Sequence, residues 1–116
     1  MKDALLAFLR ARLDEDDETA RKAIVRRTGG EAWSYEGSAV LAQGGMVIAE
    51  RIVPVLGEHI ARYDPARVRR QTAVLRDRVD LWSRMVGSHA RVCLRAVAAI
   101  WADHPDYREE WKPYDQ

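Results

Sequence analysis

DPARVRRQTAVLRDRVDLWSRMV, residues 64–86, is the stretch whose reading decides the fold. It opens on Asp64-Pro65-Ala66-Arg67. An Asp carboxylate accepts hydrogen bonds from the free amides of a helix start, and proline at the first helical position sacrifices no hydrogen bond there. Beyond this cap, Val68, Thr72, Leu75, Val79, Trp82 and Val86 recur at alternating steps of four and three, a heptad-like seam. Val74, Leu81 and Met85 widen it to almost half the circumference. The spacing therefore predicts a helix over 64–87 that is covered on two sides. Arg69, Arg70, Arg76 and Arg84 fall on its far face. Arg78 points into the apolar arc, where it snorkels or meets a carboxylate.

The rest of the chain is read outward from this helix. After Gly87-Ser88 a second helix is expected over 88–102, with Ala90, Leu94, Val97 and Trp101 on one stripe. Ala98, Ala99 and Ile100 make it nearly apolar all round, as a central core helix would be. Residues 103–116 read as a capped tail, with Asp106 as cap and Pro113 as stop. Tyr107 and Trp111 stand four apart and are expected to dock on the helices of 50–63 and 64–87. Toward the N-terminus, 50–63 reads as a helix interrupted by Pro54 and firm from Val53. Ile52, Leu56 and Ile60 mark its core side, with His59 beside them. Residues 32–49 carry the β-formers Trp33, Tyr35, Val40 and Leu41, broken at Gly37-Ser38 and Gly44-Gly45. They predict a β-hairpin that must lie on the helices to be stable. A first helix is expected over 1–28, with Leu5, Leu6, Phe8, Leu9 and Leu13 on one stripe and Asp3 as N-cap. Five consecutive acids, Asp14–Glu18, repel one another and are expected to loosen it. Gly29-Gly30 ends it. The expected fold is mainly α (α+β): four to five helices with one small antiparallel β-hairpin packed on them, in a single domain over 1–116.

Composition supports one globular domain: 116 residues, 47% hydrophobic and 32% charged. No apolar run reaches the ~18 residues of a membrane span. The N-terminus lacks the long apolar core and small-residue cleavage site of a signal peptide. Cys93 is single, which excludes an internal disulfide and a cysteine-rich zinc site. A cytoplasmic location and no membrane contact are the resulting expectations. The net charge of +1 conceals a dipolar layout: residues 64–101 carry +5 and residues 102–116 carry −3.

The residues that bear chemistry are sparse. No Gly-rich phosphate loop and no nucleophile-elbow motif occurs. Cys93 sits among Leu94 and Val97, where a thiol is inert filler. The three histidines, His59, His89 and His104, form no H-x-x-x-H pair. No metal or other cofactor and no catalytic residue is assigned. His59, Asp103 and His104 are the weak metal candidates, because imidazole with carboxylates suits zinc, manganese or iron if the tail folds back. Arg69, Arg70, Arg76 and Arg84 are placed to track phosphates, although a sequence pI of about 7.9 is modest for a nucleic-acid binder. Tryptophan is enriched at binding hot spots, so Trp33 and Trp111 join Val68, Leu75, Val79 and Trp82 as interface candidates.

Three stretches carry a resemblance: Phe8–Asp16, His59–Val68 (HIARYDPARV) and Ala102–Trp111 (ADHPDYREEW). Together they resemble a family of small actinobacterial and actinophage proteins of unknown function, whose variable part corresponds to the hairpin. The resemblance implies a small cytosolic protein and supplies no catalytic residue. The combined reading is a non-catalytic accessory or regulatory protein acting through protein–protein contacts, and a homodimer through the 64–102 region. The alternatives are a nucleic-acid-binding regulator using the arginine face of 64–86 and, more weakly, a metal-dependent enzyme at His59 and His104.

Overall fold

The computed structural model describes residues 2–24 and 30–113, with side chains from residue 4 onward. The Asp3 side chain, the helix stop at Gly29 and residues 114–116 of the tail lie outside the described residues. The elements are helix α1 (Lys2–Lys22), strands β1 (Trp33–Glu36), β2 (Ala39–Ala42) and β3 (Val47–Glu50), and helices α2 (Pro54–Arg62), α3 (Pro65–Ser83) and α4 (Ser88–Ala98). Two 3₁₀ turns follow, at Ala99–Trp101 and Glu109–Trp111. The fold is thus mainly α with a small antiparallel β part. The chain forms two compact units, residues 1–15 with 73–116 and residues 16–72, and α1 and α3 contribute residues to each.

The first unit has the larger apolar core. Leu5, Phe8, Leu9 and Leu13 of α1 supply a stripe at helical spacing. Val79 of α3, Leu94 and Ala98 of α4, and Trp111 of the tail close over it. Leu9, Leu13, Val79 and Leu94 are fully buried, each contributing about 1.5–3 kcal/mol of transfer free energy. The helix over 88–102 is not the enclosed core helix expected from its composition. Only Ala90, Leu94 and Ala98 of α4 are buried, while Val92 and Ile100 stand exposed. Alanine-rich faces carry little apolar area, so they do not demand enclosure. The tail docks on α1, which was not expected, and its Trp111 shares a core with Val79 of the helix over 64–87, as expected. Its two rings pack on Phe8 of α1, with centroids 6.0 Å away for Tyr107 and 5.0 Å for Trp111, in the tilted arrangements that ring quadrupoles favour. Asp106 caps no helix: its backbone N–H donates to His104 Nδ1.

In the second unit the expected hairpin is a three-stranded antiparallel meander in the order β1-β2-β3. The break at Gly37-Ser38 is itself a two-residue hairpin turn, with both residues at positive φ (57° and 62°) as the twist of paired strands requires. Gly44 and Gly45 make the second turn at φ 98° and 96°. The helix expected over 50–63, and firm from Val53, begins at Pro54 with Val53 as its N-cap. Glu50 ends β3, and Pro54 is confined to the first turn because it has no N–H to give. The core side of α2 is likewise different. Gly57 and Ala61 face inward, whereas Leu56 is 58% exposed. The cause is Tyr35 of β1, whose ring lies against the Gly57 backbone while its hydroxyl donates to Ile52 O at 2.6 Å.

That contact fixes the sign of a substitution. Alanine in place of a helical glycine ordinarily stabilises by roughly 0.5–1 kcal/mol. At position 57 the added Cβ falls inside the Tyr35 ring. Gly57→Ala is therefore expected to destabilise by about 1–3 kcal/mol in urea unfolding followed by circular dichroism. In a Tyr35→Leu background the penalty should shrink, a coupling that a double-mutant cycle reads directly.

Candidate functional site

The second unit carries a cleft of about 360 Å³, within the size range of ligand and side-chain pockets. One wall is the last turns of α1, where Asp16, Thr19, Ala20 and Ala23 share a helical face. The other is the first turns of α3, with Pro65, Val68 and Gln71. Trp33, the first residue of β1, and Tyr63, the residue after α2, complete the lining. The walls are mostly apolar, with the Asp16, Thr19 and Gln71 side chains as polar contributions.

Asp64 places both aromatics. Its carboxylate caps α3, accepting from the Arg67 N–H at 2.8 Å, as the Asp-Pro pair implies. The second oxygen accepts from the Trp33 N–H at 2.9 Å, which pins the start of β1 to the start of α3. The Ala66 N–H donates to Glu31 O at 2.9 Å beside it. Asp64 is itself buried. The indole Nε1 of Trp33 is buried and has no hydrogen-bond partner among the described residues. Tyr63 is held from two sides. The His59 ring lies 4.8 Å away and the Arg67 guanidinium 4.6 Å from the ring centroid. Its ring is still 47% exposed, and it continues a row of exposed apolar side chains along α2. Val53, Val55 and Leu56 are 59%, 80% and 58% exposed.

The arginine face is partly consumed within the chain. Arg69 lies 3.6 Å from buried Asp17 and 3.7 Å from Glu31, and Arg76 reaches Asp14 at 2.7 Å. Arg70 and Arg84 are exposed and form no ion pair among the described residues. The same pairs explain why α1 runs unbroken through Asp14–Glu18, where loosening was expected. Asp14 faces Arg76, Glu15 faces Arg12, and Asp17 also meets Arg21 and the Thr72 hydroxyl. Opposite charge on neighbouring faces offsets the repulsion along the run. Arg78 lies beside Asp77 at 3.7 Å and is half exposed.

His59 belongs to the second unit, Asp103 and His104 to the first. Among the described residues no group of three or more His, Cys, Asp or Glu side chains is close enough to hold a metal ion. Both ring nitrogens of His104 face donors: Arg12 Nη1 at 2.7 Å from Nε2 and the Asp106 N–H at 3.0 Å from Nδ1. A guanidinium in that position repels a cation. Of the six interface candidates, Val68 and Trp33 line the cleft. Val79 and Trp111 are buried in the core of the first unit, and Leu75 and Trp82 pack against it. From Val68 to Trp82 the heptad-like seam therefore lines the cleft or packs on a core within its own unit, whereas Val86, beyond the end of α3, is 97% exposed. In the tail, Glu109 raises the pKa of Lys112 by a hydrogen bond and by its charge.

Two features escaped the sequence reading. The exposed row on α2 was hidden by assigning Leu56 to the core. The Gly57–Ala61 pair, small residues four apart, was the available signal for the inward face. On α4, Cys93 Sγ lies 3.9 Å from His89 Nε2, a pairing that the i, i+4 spacing allowed one to foresee.

The fold, mainly α with a three-stranded antiparallel meander, now has a family. The chain belongs to a family of unknown function, DUF6221, whose model matches residues 2–113. No curated protein and no solved structure matches the chain. No described helix is long and apolar enough to cross a membrane.

Asp64 offers a test of how the cleft is built. Asp64→Ala removes a helix cap and leaves the Trp33 N–H without its acceptor, an expected loss of about 2–4 kcal/mol in unfolding free energy. Asp64→Asn keeps one acceptor oxygen and should lose less than half of that.

Proposed function

We propose that the protein is a non-catalytic accessory or regulatory protein that acts through protein–protein contacts. Its binding surface is the outer face of α2 with the adjoining Trp33–Tyr63 cleft. The observation that carries this reading is the row of Val53, Val55, Leu56 and Tyr63. All four are 47–80% exposed on or beside one nine-residue helix. Apolar side chains grouped this way normally mark an interaction surface, and an aromatic-lined cleft beside them suits an anchoring side chain. The reading includes a cytoplasmic location, an actinobacterial or actinophage origin and a homodimeric state. The nucleic-acid alternative rests on Arg70 and Arg84, the two members of the arginine face without an ion pair among the described residues.

The test is affinity capture with the wild type and with a Val55→Asp/Leu56→Asp variant of equal helicity. A partner protein is expected to co-purify with the wild type, and the purified partner should bind the variant about tenfold or more weakly. Equal binding by both removes α2 from the interface. Recovery of nucleic acid, lost in Arg70→Ala/Arg84→Ala and steeply weakened by salt, would favour the alternative.

A further inference from the structure

The core-facing side of α3 is Leu75, Val79 and Trp82. Roughly a quarter turn away on the helix lies a second stripe, Val74, Arg78, Leu81 and Met85, at steps of four, three and four. Met85 belongs to the turn that continues α3, where its N–H donates to Trp82 O. This stripe faces outward: Val74 is 60% exposed, Leu81 37% and Met85 38%. Its outer edge carries two exposed charges of opposite sign, Asp77 and Arg84, seven residues apart. Asp77 has only its chain neighbour Arg78, at 3.7 Å, as a described ion-pair partner, and Arg84 has none among the described residues.

We propose that this stripe is a self-association face on which a second copy of the chain pairs antiparallel about a two-fold axis. The argument is self-complementarity. A two-fold interface brings a patch against itself, so each residue must suit the residue at the mirrored height. With Val74 set against Met85 of the second copy, the same register sets Arg78 against Leu81, and both matches occur twice. The aliphatic stem of Arg78 covers Leu81 while its guanidinium reaches water. In this register Asp77 lies nearest Arg84 of the second copy, again twice, as edge positions pair in antiparallel coiled coils. A parallel pairing would set this edge against the opposite, core-side edge of the stripe, at Leu75 and Trp82, where neither charge finds a partner. The charge order on the edge therefore selects a second copy in one orientation. The proposal rests on the homodimeric state included in the function proposed above and gives it a face, while the α2 surface takes no part in it.

The experiment is light scattering on a size-exclusion column at tens of micromolar, with circular dichroism to confirm folding. Asp77 and Arg84 are surface positions, where substitutions ordinarily change stability little. The wild type should elute with twice the 13.2 kDa chain mass. Asp77→Arg and Arg84→Asp should each weaken association about tenfold or more, since like charges then meet at both symmetric positions. The double variant Asp77→Arg/Arg84→Asp should restore it. A wild type of single-chain mass overturns the proposal. Single variants that stay dimeric, or a double variant that stays monomeric, overturn this register. None of these outcomes touches the α2 surface, which the capture experiment reads separately.

Discussion

The buried carboxylate of Asp64 is the constraint on which the second unit depends. One oxygen satisfies a free amide at the start of α3, and the other satisfies the first N–H of β1. A helix start offers amide dipoles with no intrahelical acceptor, and the first residue of a strand is short of partners for the same reason. One charged group meets both needs, so helix and sheet share an origin. Because Pro65 has no N–H to give, the helix cannot run back through it from an earlier start, and because Trp33 is tied there, the strand cannot slip. The cleft between α1, Trp33, Tyr63 and α3 follows from that junction.

Packing within the same unit is governed by small residues and polar pairs more than by large apolar ones. Its buried positions include Ala20, Val40, Ala42 and Ala61 beside the polar Asp17, Asp64 and Thr72. Such an interior gains little from apolar area and depends on satisfied hydrogen bonds and close backbone contact. The Gly57–Tyr35 contact shows how closely α2 approaches β1, and it sends the large side chains of α2 outward. The exposed row proposed as a binding surface is thus a consequence of how the helix must lie on the sheet.

The first unit is organised by a different logic. Four residues of α1 at helical spacing, closed by Val79, Leu94 and an aromatic tail on Phe8, form an apolar core of ordinary kind. Its charged surroundings are ordered by pairing. Arg10 meets Asp80 and Arg76 meets Asp14, both across neighbouring helices. Exposed pairs of this type contribute only about 0–1 kcal/mol each, so their effect is to orient helix faces. They also remove arginines from the surface charge that the sequence displays, which is why the arginine face is less basic than its composition.

Much of this was legible in the residues. Local signals are carried by chemistry that needs no partner from elsewhere in the chain. The Asp64-Pro65 cap, the stripe of Leu5, Phe8, Leu9 and Leu13, and the stop before Gly87 all belong to that class. Membership of a family of unknown function was likewise expected, and that family's model matches residues 2–113. What the sequence could not decide was which of two apolar faces a helix turns inward. The seam of α3 and the large residues of α2 are equally apolar on a helical wheel, yet Val79 is enclosed and Val55 is exposed. That choice is made by whatever packs against each face, a ring on Gly57 in one case and a helix stripe on Val79 in the other. The first turn of the sheet was missed for a related reason. Gly37-Ser38 looked like an interruption until the pairing of Glu36 with Ala39 made it a hairpin turn. Periodicity reports that a face exists, and only long-range contact reports what covers it.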